Sequence, residues 1–124
     1  MDQSLLVKSG HILVKALDDA KLPPKAAVWV HNTDTDIWRL WIVPDPSISD
    51  KRAFYRRVSE IATKNRKELG DVDASDVELV DKDHPAIKGL RAFVKMPGLG
   101  AAHLSNNRFN GFYLPDGIVL RMNI

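Results

Sequence analysis

Two carboxylates and a lysine are the first residues here whose types could do chemistry. Asp45 follows Pro44 at the end of an apolar run, Glu78 sits in a later short run, and Lys82 lies nearby. Two carboxylates converging on Mg²⁺, with a lysine to orient water or stabilise charge, form the working part of a metal-dependent nuclease. The spacing argues against that use. Such a site draws its second acid and its lysine from one face of one strand, two positions apart. Glu78 and Lys82 are four positions apart, and Val80 holds the place the lysine should take. The expected roles are a turn aspartate between two prolines and a solvent-facing glutamate on an edge strand.

Other polar groupings fail similar tests. Asn32, Asp34 and Asp36 place oxygen side chains at alternate positions, as calcium loops do, but such loops also need Gly at position six and Glu at position twelve. Those positions hold Ile37 and Val43. Gly98 and Gly100 open like a dinucleotide fingerprint, yet His103 replaces its third glycine. The segment before it reads as a helix and not as the strand the fingerprint requires, so a flexible helix-to-strand connection is expected. His11, His31, His84 and His103 show no ligand-like spacing, and there is no cysteine to complete a zinc site. No serine lies in a Gly-x-Ser-x-Gly elbow. The expectation is no catalytic residue, no cofactor and no metal.

Two groupings suit binding better. Trp29, Trp38 and Trp41 fall on adjacent strand-like runs, and Trp38 and Trp41 must point to opposite faces of their strand. Core packing explains one face. The other is either covered or offers a large aromatic to a partner. Residues 49–67 hold seven Lys or Arg against two acids. At helical spacing Arg52, Arg56 and Lys67 share the outer face with Arg66 at its margin, a geometry that could follow a phosphate backbone or an acidic partner. No aromatic interleaves that face for base stacking, and no helix-turn-helix or RNP-type motif accompanies it. Seven acids follow in residues 68–83. If that stretch doubles back, it neutralises the basic helix.

The elements that must position these residues follow from periodicity. Residues 4–20 carry Leu5, Leu6, Ile12, Leu13, Ala16, Leu17 and Ala20 at helical spacing, with Gly10 as a weak point and Pro23-Pro24 as the stop. Residues 26–30 and 37–43 read as a hairpin. Ile37, Arg39, Trp41 and Val43 share one face of its second strand; Trp38, Leu40 and Ile42 share the other. Both faces are mostly apolar, so the strand is expected to be central and covered on both sides. A helix from Ser49-Asp50 to about Leu69 turns Phe54, Val58, Ile61, Ala62, Asn65 and Leu69 inward. Residues 77–80 form a short strand, and Pro85 starts a helix with Ile87, Leu90, Phe93 and Val94 inward. A last hairpin is expected over 112–114 and 118–122, turning at Pro115-Asp116-Gly117, with Asn110-Gly111 as a second turn or bulge. The order α-ββ-α-β-α-ββ predicts one α+β domain over residues 1–124: a mixed or antiparallel sheet of about five strands with three helices.

Three stretches taken together resemble a group of small bacterial proteins of uncharacterised function. They are Ala26-Ala27-Val28-Trp29-Val30 leading to Trp38-Arg39-Leu40, then Ala53-Phe54-Tyr55-Arg56-Arg57, and Asn110-Gly111-Phe112-Tyr113-Leu114 with the ending Leu120-Arg121-Met122. The resemblance covers nearly the whole chain and rests on pattern. It implies an α+β fold and a bacterial or mobile-element origin, and it carries over no activity. Gly117 departs from it, since a larger residue is expected there.

With 124 residues, the chain is long enough for one core without staples. The formal charge is only +2, so no strong global field points to nucleic acid. No run reaches the roughly 18 apolar residues of a membrane span, and the N-terminus lacks a signal-peptide pattern. A cytoplasmic location is expected by default. The leading expectation is a small non-enzymatic interaction or accessory protein that associates through its aromatic sheet face, as a homodimer or with another protein. Nucleic-acid binding through helix 49–67 is the alternative, and a metal-dependent nuclease the more remote one.

Overall fold

The computed structural model describes residues 2–124. Helix α1 (Gln3–Asp19) starts at Asp2, whose carboxylate accepts the Ser4 N–H at 2.8 Å. It buries Leu6, Leu13, Val14 and Leu17, with Ser9 and Gly10 between them. Leu5, expected on that stripe, is 55% exposed. The inward face is centred nearer Gly10 because α1 closes tightly on the sheet there. A Cβ on Gly10 would lie 2.8 Å from Trp29 Nε1 and collide with Leu120. The expected weak point is therefore the contact point, and Trp29 Nε1 donates to the Leu6 carbonyl at 2.8 Å beside it.

Strands β1 (Ala26–Asn32) and β2 (Ile37–Val43) form the expected hairpin, in register from Ala26–Val43 to Asn32–Ile37. The helix expected over 49–69 is two pieces, α2 (Lys51–Lys64) and α3 (Arg66–Leu69). It breaks at Asn65, whose side-chain amide and backbone N–H both donate to the Ile61 carbonyl, at 2.9 and 3.1 Å. A short 3₁₀ turn at Ala74–Asp76 leads into β3 (Val77–Leu79), which lies parallel to β2. Helix α4 (Pro85–Phe93) follows, with Pro in its first turn as expected. Phe93, expected inward, is 79% exposed at its end.

The last hairpin differs from expectation. Its turn is at Asn110-Gly111, between β4 (Ala102–Phe109) and β5 (Phe112–Met122). Both turn residues have positive φ, 52° and 85°, as a two-residue hairpin loop requires. Strand β5 runs on through Pro115-Asp116-Gly117. Its ladder to β4 passes from Leu114 to Asp116 and needs no N–H at Pro115. Gly117 fits this path, since a Cβ there would press to 3.2 Å on the Trp29 carbonyl.

The five strands run in the order β3-β2-β1-β5-β4 and form a mixed α+β sheet. Helices α1, α2 and α3 cover one face, burying Trp29, Trp38, Leu40, Phe54 and Ile118. Helix α4 covers the other, burying Trp41, Ile87, Leu90 and Val119. A register slip beside Ala27 bulges β5. Near it, the Arg121 guanidinium holds Asp18 with two N–H groups at 2.7 and 2.8 Å. Among the described residues no helix is long and apolar enough to cross a membrane.

Candidate interaction groove

The two faces are covered unequally, and chain geometry sets the difference. At 1.5 Å per residue, the nine residues of α4 span about 14 Å. At about 3.3 Å per residue, the eleven residues of β5 span about 36 Å. One short helix cannot roof that face. The part it leaves open is a groove of about 610 Å³ at the hairpin end of β1 and β2, floored by Val30, Ile37, Arg39 and Trp41 and walled by His84 and Phe112.

Each groove side chain has an identifiable support. His84 caps α4, its Nδ1 accepting the Ala86 N–H at 3.1 Å, and this holds the imidazole over the sheet. Its ring packs 4.7 Å from Trp41 and 4.9 Å from Phe112, and Trp41 lies 5.6 Å from Phe112. Tilted and edge-on packing of this kind suits aromatic quadrupoles. Arg39 spends one N–H on the Ser75 carbonyl at 2.9 Å. Glu78 stands opposite Trp41 on β3. Neither charge has an ion partner among the described residues. Ile37 and Tyr113, each 46% exposed, leave apolar surface in water on the same concave face.

The expected tryptophan face is changed by this arrangement. Trp29, Trp38 and Trp41 are 1%, 9% and 7% exposed, so none presents a free indole. Trp29 and Trp38 lie under α1 and α2, and His31 stacks on Trp38 at 4.6 Å. Trp41 is the one that reaches the groove, as part of its floor.

The nuclease residues do not assemble. Glu78 lines the groove, whereas Asp45 and Lys82 line a separate cavity of about 450 Å³. Asp45 accepts the Ser47 N–H at 2.9 Å, which holds its carboxyl below the usual carboxylate range, with Lys25 at 3.7 Å adding to the effect. Among the described residues no three His, Cys, Asp or Glu side chains gather as a metal site. Asn32 closes its turn by accepting the N–H groups of Asp34 and Thr35. The glycines at 98 and 100 lead into β4 and not into a helix, so they make no phosphate cradle.

The four histidines are scattered. His11 meets the Gly100 carbonyl, His84 caps α4, and His103 lies on β4. His31 lies 2.8 Å from Asp36 and 3.4 Å from Asp116. Ser105 donates to Asp116 at 3.3 Å and not to the imidazole.

On α2 and α3, Arg52, Arg56, Arg66 and Lys67 are all exposed, and none is ion-paired among the described residues. The acidic stretch does fold back on them. Tyr55 donates to the Ala74 carbonyl at 2.6 Å, and Asp71 and Asp73 share a surface hollow with Arg66. The Asp73 carboxyl is held low mainly by its bonds from Ser75, with the Arg66 charge contributing. On the other flank, Asp19 and Glu60 sit among Arg56, Arg57 and Lys64. Acids on both flanks dilute the basic stripe.

His84 and Phe112 carried no binding role in the sequence expectations, His84 standing among histidines without ligand-like spacing and Phe112 in the last hairpin. Only the shared face of Ile37, Arg39 and Trp41 was readable, from strand alternation. No protein-family model, no curated protein and no solved structure matches this chain.

Proposed function

We propose that this chain is a non-enzymatic protein-interaction module whose docking surface is the open half of the α4 face. One observation carries the reading: an aromatic-floored groove of about 610 Å³ whose lining includes the unpaired charges Arg39, Glu78 and Asp34, with exposed Ile37 and Tyr113 beside it. Concave apolar surface with a few placed polar groups is what a binding site looks like. Aromatic and Arg side chains are the usual anchors of protein interfaces. An aromatic floor with a few charged groups at its edge suits recognition of an apolar anchor on a partner.

Peptide selection on the immobilised chain tests this. Selected peptides carry apolar anchor residues, and Ile37→Asp weakens their binding about tenfold or more. The paired change Arg52→Glu with Arg56→Glu leaves binding unaltered. Binding that ignores Ile37→Asp, or that is lost with the two arginines and falls steeply with salt, transfers the function to the basic helix and a nucleic-acid or acidic partner.

A further inference from the structure

We infer that the groove's partner is a second copy of this chain, docked about a two-fold axis that passes between Arg39 and Glu78. The inference rests on the docking surface proposed above and names its occupant. In a two-fold interface the same patch meets itself, so every group must find its complement within that patch. A patch of one charge sign fails this requirement, since like charges would meet across the axis.

Arg39 and Glu78 meet it as a pair, and the third charge of the lining, Asp34, lies on the exposed turn between β1 and β2. Glu78 pairs in register with Trp41, and Arg39 stands two residues along β2 on the same face as Trp41. Arg39 and Glu78 are thus diagonal neighbours on adjacent strands. Both side chains are exposed, and neither has an ion partner among the described residues. Arg39 is held in place by its bond to the Ser75 carbonyl, while its remaining donors stay free for a carboxylate. Facing a second copy, Arg39 meets Glu78 of that copy and Glu78 meets its Arg39. The two contacts form together, and the half-exposed Ile37 and Tyr113 of both copies leave water at their margin.

Sedimentation equilibrium of the full chain from roughly 1 μM to 1 mM tests this, because self-association makes the average mass depend on concentration. The expected result is a reversible monomer–dimer equilibrium. Arg39→Glu alone and Glu78→Arg alone each raise the dimer dissociation constant about tenfold or more, since like charges then meet. Mixed in equal amounts, the two variants recover the dimer, because every charge again faces its opposite. That recovery also shows that both variants are folded. A wild-type chain monomeric throughout, a dimer that ignores both reversals, or a mixture that stays monomeric overturns the inference. Peptide binding sensitive to Ile37→Asp in a chain that is monomeric throughout assigns the groove to another polypeptide. In that case the docking surface stands and the second copy falls.

Discussion

The two faces of the sheet carry similar apolar side chains and end in different states. On one, the seventeen residues of α1 and the fourteen of α2 lie over Trp29 and Leu40, which are 1% and 0% exposed. On the other, the nine residues of α4 bury Val119 and Leu90 but stop at His84, and Trp41 becomes the floor of a groove. The difference is not one of composition along the strands. It comes from how much helix each face receives. A face that is apolar in sequence and only half roofed in the fold is where a partner gains most by docking.

The strongest way to break this comparison is to cut into each face in turn. Trp29→Ala removes a fully buried indole and its bond to Leu6, and it should cost about 3–5 kcal/mol in urea unfolding. Ile37→Asp, at a half-exposed position, should cost no more than about 0.5 kcal/mol. Equal costs would mean that the groove is part of the core.

Gly10→Ala sharpens the sealed side. Helix propensity alone predicts a gain of about 1 kcal/mol. The close approach to Trp29 and Leu120 predicts overpacking, with a loss of about 1–3 kcal/mol. A net loss of stability is expected, and a gain would show that α1 can lift off the sheet at little cost.

The smallest effect belongs to the turn that rims the groove. The hydrogen bond from His31 holds the Asp36 carboxyl below its ordinary 3.8, and the His31 charge adds to this. A carboxyl lowered on folding contributes stability above its unfolded pKa, and that contribution is lost as pH falls through the folded value. Wild type and Asp36→Asn should therefore differ slightly in Tm above about pH 4 and converge at lower pH. A constant difference across the acid range would remove His31 as the cause.

Legibility varied along the chain in a way the physics explains. The hairpin of β1 and β2, the split of Trp38 and Trp41 between faces, and the proline that starts α4 were readable because period and helix-start signals are local. Strand β4 was not readable. Ala102, Leu104 and Phe109 are its only apolar residues, and its outer edge has no strand partner. Its polar pattern therefore has no core to answer to. The shift of the last turn from Pro115-Asp116-Gly117 to Asn110-Gly111 followed from that strand. A turn sequence is only used where the chain has a partner to fold back on. The acidic stretch after α3 posed a question about long-range placement, and only tertiary contact from Tyr55 to Ala74 answered it.

By itself the sequence determined an α+β domain, the apolar faces of its strands, and the lack of any motif for a metal or cofactor. These follow from residue type and spacing, which act over a few positions. Tertiary structure alone decided that Glu78 and Asp45 part company, that acids flank the basic helix, and that Arg39, Trp41, Glu78, His84 and Phe112 meet in one groove. Those outcomes depend on where four separate segments come to rest. Chain packing sets that placement, and no local period encodes it.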